Sequence, residues 1–229
     1  MAFSGFPAAG LQFLADLSEN NDKEWFTPRK EQYVSQLQEP AIAFIRDLGE
    51  RLRPVFTRLQ ADLRANGSGS LMRIYRDVRF SQDKTPYNTH VTALLWEGPG
   101  KKNMNPAMGF RLTSENMMLM LGMYGFPKDK LARFREAVVD AALGAELDDI
   151  VGQIRALPGY QLGGEHYKSV PRGFDGDHPR ADLLRYNGLH AFPPPISATE
   201  VQSPALVDIC ATHFERLAPL HHWLVKIFA

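Results

Sequence analysis

A chain of 229 residues with 44% hydrophobic and 23% charged side chains lies in the ordinary globular range and is long enough for one large core, which predicts a single compact domain over residues 1–229. The 26 basic and 26 acidic residues cancel, so there is no global positive field to drive sequence-independent nucleic-acid binding, and any anion site must be local. No apolar run approaches the roughly eighteen residues needed to span a bilayer. The stretch Met1-Ala-Phe-Ser-Gly-Phe-Pro has no basic region of the kind that opens a signal peptide, and the lone Cys210 excludes an intramolecular disulfide or a thiolate cluster; these features predict a soluble, cytoplasmic protein.

Along the chain, helices are predicted over about residues 7–60. Leu11, Leu14 and Leu17 share one face, and Ile42, Ile45, Leu48 and Leu52 form a second stripe at spacings of three and four. Between them Asn20-Asn21-Asp22 supplies capping side chains ahead of Lys23 to Phe26, and Pro28 suits the first turn of a helix carrying Tyr33 and Leu37; Pro28 and Pro40 punctuate the run, and Trp25 and Phe26 are expected in the core. After the turn at Gly67-Ser-Gly-Ser and a basic motif at residues 71–90, the period becomes that of a sheet. Val91 to Trp96, Ala107 to Thr113 and Asn116 to Met123 predict an antiparallel meander. The first connection is long and carries Lys101 and Lys102, as a loop over a ligand site would; the second, Thr113-Ser-Glu-Asn, is a short turn.

Helical spacing returns at Leu131, Phe134, Val138 and Ala142, then at Leu147, Ile150, Val151 and Ile154, ending before Pro158-Gly159. Tyr160 to Pro195, rich in Gly, Pro, Asp and His, reads as ordered loop, with Gly163-Gly164 as a turn. Leu206, Ile209, Cys210, His213 and Leu217 make the last long apolar stripe, which places Cys210 as a buried, inert thiol, and Leu220 to Phe228 adds a second helix after Pro219. The fold class is therefore α+β: N-terminal helices, a central antiparallel sheet, then helices and ordered loops packing on it over 127–229.

The most polarised segment is Leu71-Met-Arg-Ile-Tyr-Arg-Asp-Val-Arg-Phe-Ser-Gln-Asp-Lys-Thr-Pro-Tyr-Asn-Thr-His. A helix over Leu71 to Val78 would bury Leu71, Ile74, Tyr75 and Val78 and expose Arg73, Arg76 and Asp77. A strand would put Arg76 on the face of Ile74, Val78 and Phe80, where it would need a buried partner, so a helix is expected. Two readings of the charges stand side by side. In one, Arg73, Arg76, Arg79, Lys84, Thr85, Tyr87 and His90 line an oxyanion-binding wall for an anionic, phosphate-bearing small molecule. In the other, Asp77 and Asp83 pair with the arginines to pin a loop on the sheet, and the working surface is an exposed aromatic patch that meets another protein.

Three groups of residues resemble the domain of unknown function 2461 family, the conserved hypothetical proteins of bacteria, fungi and plants. They are Phe13-Leu to Asn20-Asn21 with Trp25-Phe26, Arg76-Asp-Val-Arg-Phe-Ser to Lys84-Thr-Pro-Tyr, and Pro171-Arg-Gly-Phe with Asp177-His178-Pro179. The resemblance spans nearly the whole chain and implies a compact α+β domain; it carries over no activity, cofactor or catalytic residue. Asn88 stands where the family often has Lys, and Ser169 where it has a basic residue, and both weaken a cationic site slightly.

Other constellations point less sharply. Asp175, Asp177 and His178, with His166 or His90, have the donor types of a divalent-metal site, but Asp-Gly-Asp-His-Pro is also the composition of a tight turn whose Asp side chains satisfy local amides, and that simpler role is expected. No Gly-x-Ser-x-Gly, phosphate-binding loop, zincin or EF-hand spacing occurs. No motif names a cofactor, a reaction or an oligomeric state.

Overall fold

In the computed structural model, which describes residues 2–228, the fold is α+β with the predicted order of helices, antiparallel sheet and helices. The two ends of the predicted domain, Met1 and Ala229, lie outside the described residues. In order of hydrogen bonding the strands run β1 (Val91–Trp96), β2 (Ala107–Leu112), β3 (Asn116–Met123), β5 (Tyr186–Phe192), β4 (Gln161–Glu165), with β6 (Ile196–Ser197) paired to β3. The chain forms two compact units: the first takes the chain up to Leu95 with Gly109–Leu119 and Pro195–Thr212, the second Trp96–Met108, Met120–Pro194 and the chain from His213 onward.

In the first unit, α1 (Ala8–Glu19) is followed by a helical run from Lys23 to Leu52. Asp22 caps its start, its carboxylate accepting from the Trp25 amide at 2.8 Å. The run comprises α2 (Lys23–Phe26), a 3-10 turn (Thr27–Arg29), α3 (Lys30–Tyr33), a π turn (Val34–Gln38) and α4 (Glu39–Leu52). The predicted punctuation at Pro28 and Pro40 therefore changes the helix without ending it. A proline ring crowds the carbonyl four residues back and offers no N–H to it, and the chain answers with a tighter turn around Pro28 and a wider one just before Pro40. Phe3, Phe6, Phe44 and Phe110 form a fully buried aromatic cluster, with Phe44 lying 4.9 Å from Phe3 and 5.1 Å from Phe110. The unit also contains α7 (Ala198–Val201), begun by a reciprocal capping box between Ser197 and Glu200, and the start of α8 (Leu206–Arg216), where Cys210 is buried and its thiol pKa is pushed up by that burial.

In the second unit, α5 (Lys128–Val139) and α6 (Ala141–Ala156) meet at Asp140, whose carboxylate accepts from the amides of Ala142 and Leu143. The stripe predicted as one helix through Ala142 is thus divided by a cap. Trp223 of α9 (Ala218–Phe228) donates its indole N–H to the Leu143 carbonyl at 3.0 Å and meets Phe134 edge-on. The long lysine-bearing loop closes on itself, with the Asn105 amide donating to the carbonyls of Pro99 and Lys101, while Glu97 and His221 form a buried pair 3.1 Å apart.

The expectation of loop from Tyr160 to Pro195 is corrected: β4 and β5 lie inside it, antiparallel, with Gly163 opposite His190. Glycine hid the strand because it carries no side chain to show alternation. Here its lack of one is required, since a Cβ at Gly163 would collide with the His190 ring.

The segment between β4 and β5 has a structural task. Arg180 donates through Nε at 2.7 Å to the Val138 carbonyl, which the end of α5 leaves without a helical partner, and through Nη2 at 3.1 Å to the Asp140 carbonyl, which also accepts from the Gly144 amide of α6. Arg180→Ala is expected to lower the unfolding free energy by about 1.5–3 kcal/mol, the range for hydrogen bonds from a charged donor, with Arg180→Lys recovering less than half. Urea denaturation checks this, and a loss for Arg180→Ala indistinguishable from zero would contradict it.

Candidate functional site

The basic motif is not helical. Residues 71–76 run antiparallel to 86–94, with bridges at Leu71 to Ala93 and Tyr75 to Tyr87. Met72 N donates to Thr92 O, Asn88 N to Ile74 O, and Arg76 N to Pro86 O at 2.7–2.9 Å. The helix expectation rested on the apolar positions 71, 74, 75 and 78, but only Leu71 and Ile74 are buried, and Tyr75 is 52% exposed. An extended arm satisfies its amides across a partner strand and places β-branched and aromatic residues well, and the partner lies a few residues downstream.

Two contacts fix this hairpin to the helices. The Asn21 carboxamide pairs with both backbone groups of Tyr87, donating to its carbonyl at 2.9 Å and accepting from its amide at 3.0 Å. The Tyr87 ring, buried, stacks on Phe26 with 4.1 Å between centroids and 21° between planes. Asn21 was expected only as a cap, a role that falls to Asp22 alone. Tyr75, Phe26, Tyr33 and Phe13 continue the aromatic cluster at 5.4–6.2 Å from their neighbours. Trp25, expected in the core, is only half-buried, and the Arg29 guanidinium lies over its ring at 4.6 Å.

The tip, residues 77–85, is closed by its own charges. Arg76 Nη1 donates to Asp83 at 2.6 Å, to the Thr85 carbonyl at 2.9 Å and to the Thr85 hydroxyl. Arg79 grips Asp77 with Nε and Nη2 at 2.9 and 2.7 Å, and Lys84 Nζ donates to the Val78 carbonyl at 3.0 Å. The fork of Arg79 holds the Asp77 carboxyl down to about 2, and bonds from Thr85 and Arg76 lower that of Asp83. At the apex Phe80 is 94% exposed.

The seven predicted site residues are therefore not gathered on one wall. Arg76, Arg79, Lys84 and Thr85 brace the tip, and Tyr87 is a buried strut. His90 is half-buried with its pKa lowered by that burial and then by Arg111, and among the described residues no hydrogen bond joins it to the other six. Arg73 stands apart. Its stem packs against Gly67, where φ of +83° favours glycine and a Cβ would strike the arginine, and among the described residues its guanidinium makes no ion pair or hydrogen bond.

Arg73 borders a groove of about 240 Å³ whose apolar wall is Phe26, Tyr33, Ile74 and Tyr75 and whose polar rim includes Lys30, Gln38 and Asn66. Lys30 also lacks an ion pair among the described residues. Sequence reasoning missed Lys30, Tyr33 and Tyr75 as site residues; the signal was the aromatic spacing of Phe26 and Tyr33 read only as core. Burial, with Tyr75 contributing second, pushes the Tyr33 pKa up to about 12.

The candidate metal ligands form a turn. The Asp175 carboxylate accepts from the Asp177 amide at 2.9 Å, and His178 Nδ1 accepts from the Arg180 amide at 3.1 Å. Among the described residues no three His, Cys, Asp or Glu side chains are grouped to hold a metal ion.

The family model described as "Conserved hypothetical protein (DUF2461)" matches residues 9–223. The chain belongs to that family. No curated protein matches it. The DUF2461 match takes in the Asn21 anchor, the braced tip and the Arg180 loop, so all three lie within the family's common span. No described helix is long and apolar enough to cross a membrane.

Because folding raises the Tyr33 pKa, the neutral phenol is favoured in the native state. The native chain then binds more protons than the unfolded one between pH about 10 and about 12, and stability falls across that window. Ultraviolet difference titration of the folded protein is expected to show one phenolate appearing near pH 12 that is missing in Tyr33→Phe. A Tyr33 transition near pH 10 would contradict the buried placement.

Proposed function

We propose that this chain binds an anionic small molecule with a planar apolar body, seated in the groove of Phe26, Tyr33, Ile74 and Tyr75 and held at the rim by Arg73 and Lys30. The observation that carries this reading is the contrast among the cations: Arg76, Arg79 and Lys84 have internal acceptors, whereas among the described residues Arg73 and Lys30 have none and stand at the edge of an aromatic wall. An unpaired cation beside apolar surface attracts an anion more strongly than it would in bulk water, and the aromatic faces add stacking area. The volume suits a single ring with one anionic group rather than a large cofactor. A phosphate-bearing compound of this shape is the preferred ligand, and the reading places the protein inside the cell, where the buried Cys210 stays reduced.

A protein-interaction role is the second reading, favoured by Phe80. The ring sits nearly fully exposed on a loop stiffened by its own ion pairs, so burying it in a partner would order little additional chain. The two readings use different residues and separate cleanly.

Thermal shift with phenyl phosphate, benzoate, phenol and inorganic phosphate tests the groove, since a ligand selective for the folded state adds about 2.7 kcal/mol at a hundredfold excess over Kd. Phenyl phosphate is expected to give the largest shift and phenol the smallest. Arg73→Ala or Lys30→Ala is expected to weaken phenyl phosphate binding about tenfold, a loss of about 1.4 kcal/mol, with Arg79→Ala changing it less than about twofold. Equal weakening by Arg73→Ala and Arg79→Ala, or no saturable binding of any of the four, would overturn the groove reading.

A further inference from the structure

The second unit holds a different charged cluster that the groove does not use. Arg135 on α5 and Arg185, at the end of the 3-10 turn Leu183–Arg185, each have a buried Nε–H with no acceptor among the described residues. Both flank Tyr167. The Arg135 guanidinium lies over the Tyr167 ring at 5.0 Å. The amides of His166 and Tyr167 both donate to the Arg185 carbonyl, at 3.0 and 2.9 Å, which fixes the Arg185 backbone against the backbone of these two residues. Glu165 accepts from Arg185 Nη2 at 2.9 Å and orients that fork while leaving its Nε unmet. The His166 ring stands edge-on to Tyr167 at 4.8 Å.

A buried donor without an acceptor is costly, more so on a charged group, and native structures keep such groups paired with protein, water or a bound ion. Here the deficit occurs twice, on the guanidinium that lies over the Tyr167 ring and on that of Arg185, whose backbone carbonyl holds the Tyr167 amide. Among the described residues Glu165 pairs with Arg185 and no carboxylate pairs with Arg135, whose positive charge remains for an anion to balance. Tyr167 shields Arg135 on one face, which lowers the local dielectric and strengthens an anion contact.

We infer that Arg135 and Arg185 form an oxyanion site of the phosphate class in the second unit, in which the two Nε–H groups share one bound anion beside Tyr167. The site takes a free phosphate ion or the phosphate group of a small molecule. It rests on none of the residues assigned to the groove.

The test is a titration of the full-length protein with inorganic phosphate, followed by the arginine Nε–H resonances in nitrogen-15 NMR, with phenyl phosphate in a parallel arm. The expected result is that the Nε–H signals of Arg135 and Arg185 move together with one dissociation constant. In Arg135→Ala the Arg185 response weakens at least tenfold, and in Arg73→Ala both responses are unchanged. A response to inorganic phosphate as strong as that to phenyl phosphate identifies a site for the free ion; a much stronger response to phenyl phosphate identifies one for the esterified group. Arg135→Lys, which keeps the charge and loses the Nε–H, guards against unfolding and is expected to weaken the Arg185 response as well. The inference is overturned if neither signal moves into the tens of millimolar range, which would assign the two donors to buried water, or if the Arg185 response survives Arg135→Ala and Arg135→Lys intact.

Discussion

The carboxamide of Asn21 pairing with both backbone groups of Tyr87 is the contact on which the first unit's site depends. A single side chain here does what a neighbouring strand does for an edge residue, meeting one N–H and one C=O at once, and it does so from the turn just ahead of the helical run. With Tyr87 held there, its ring stacks on Phe26, and Tyr75 across the bridge comes within the same aromatic cluster. The groove exists because a hairpin arm and a helix are held at the spacing of an aromatic pair. Removing the carboxamide would leave two buried backbone groups to find water and would loosen the wall against which any ligand rests.

Electrostatically, the motif divides its work. The tip satisfies its charges locally, so Arg76 and Arg79 act as struts on Asp83 and Asp77, and at their exposure each pair adds little to global stability. Their effect is geometric: they keep residues 77–85 folded back and hold Phe80 out. Arg73 forms no ion pair with these carboxylates among the described residues, although its charge still acts on Asp77, and it borders the groove. A motif that looks uniformly cationic in sequence thus contains both a brace and a binding edge.

Much of the fold was legible because periodicity reports burial. β1 and β3 fall where alternation placed them, and α6, α8 and α9 follow their apolar stripes. The signal failed where side chains were absent or satisfied a different geometry. Gly163, Gly164 and Gly188 concealed β4 and β5, and positions 71, 74, 75 and 78 imitate a helical face although the arm is extended. Within the site, the residue types needed for anion recognition were visible, but which arginine had an acceptor was not, because Arg76 passes over the adjacent Asp77 to pair with the more distant Asp83, a choice that sequence separation does not make. Lys30 and Tyr33 were invisible as site residues because nothing in the spacing of a helix says which hairpin will pack on it.

The most direct measurement is the rotation of the arginine guanidinium groups about Nε–Cζ, read by nitrogen-15 exchange NMR on the ligand-free protein. Slow, hindered rotation at Arg76 and Arg79 together with rapid rotation at Arg73 is the result this account predicts. Hindered rotation at Arg73 with freely turning Arg76 and Arg79 would contradict it, placing the braced cation in the groove and the unpaired ones at the tip.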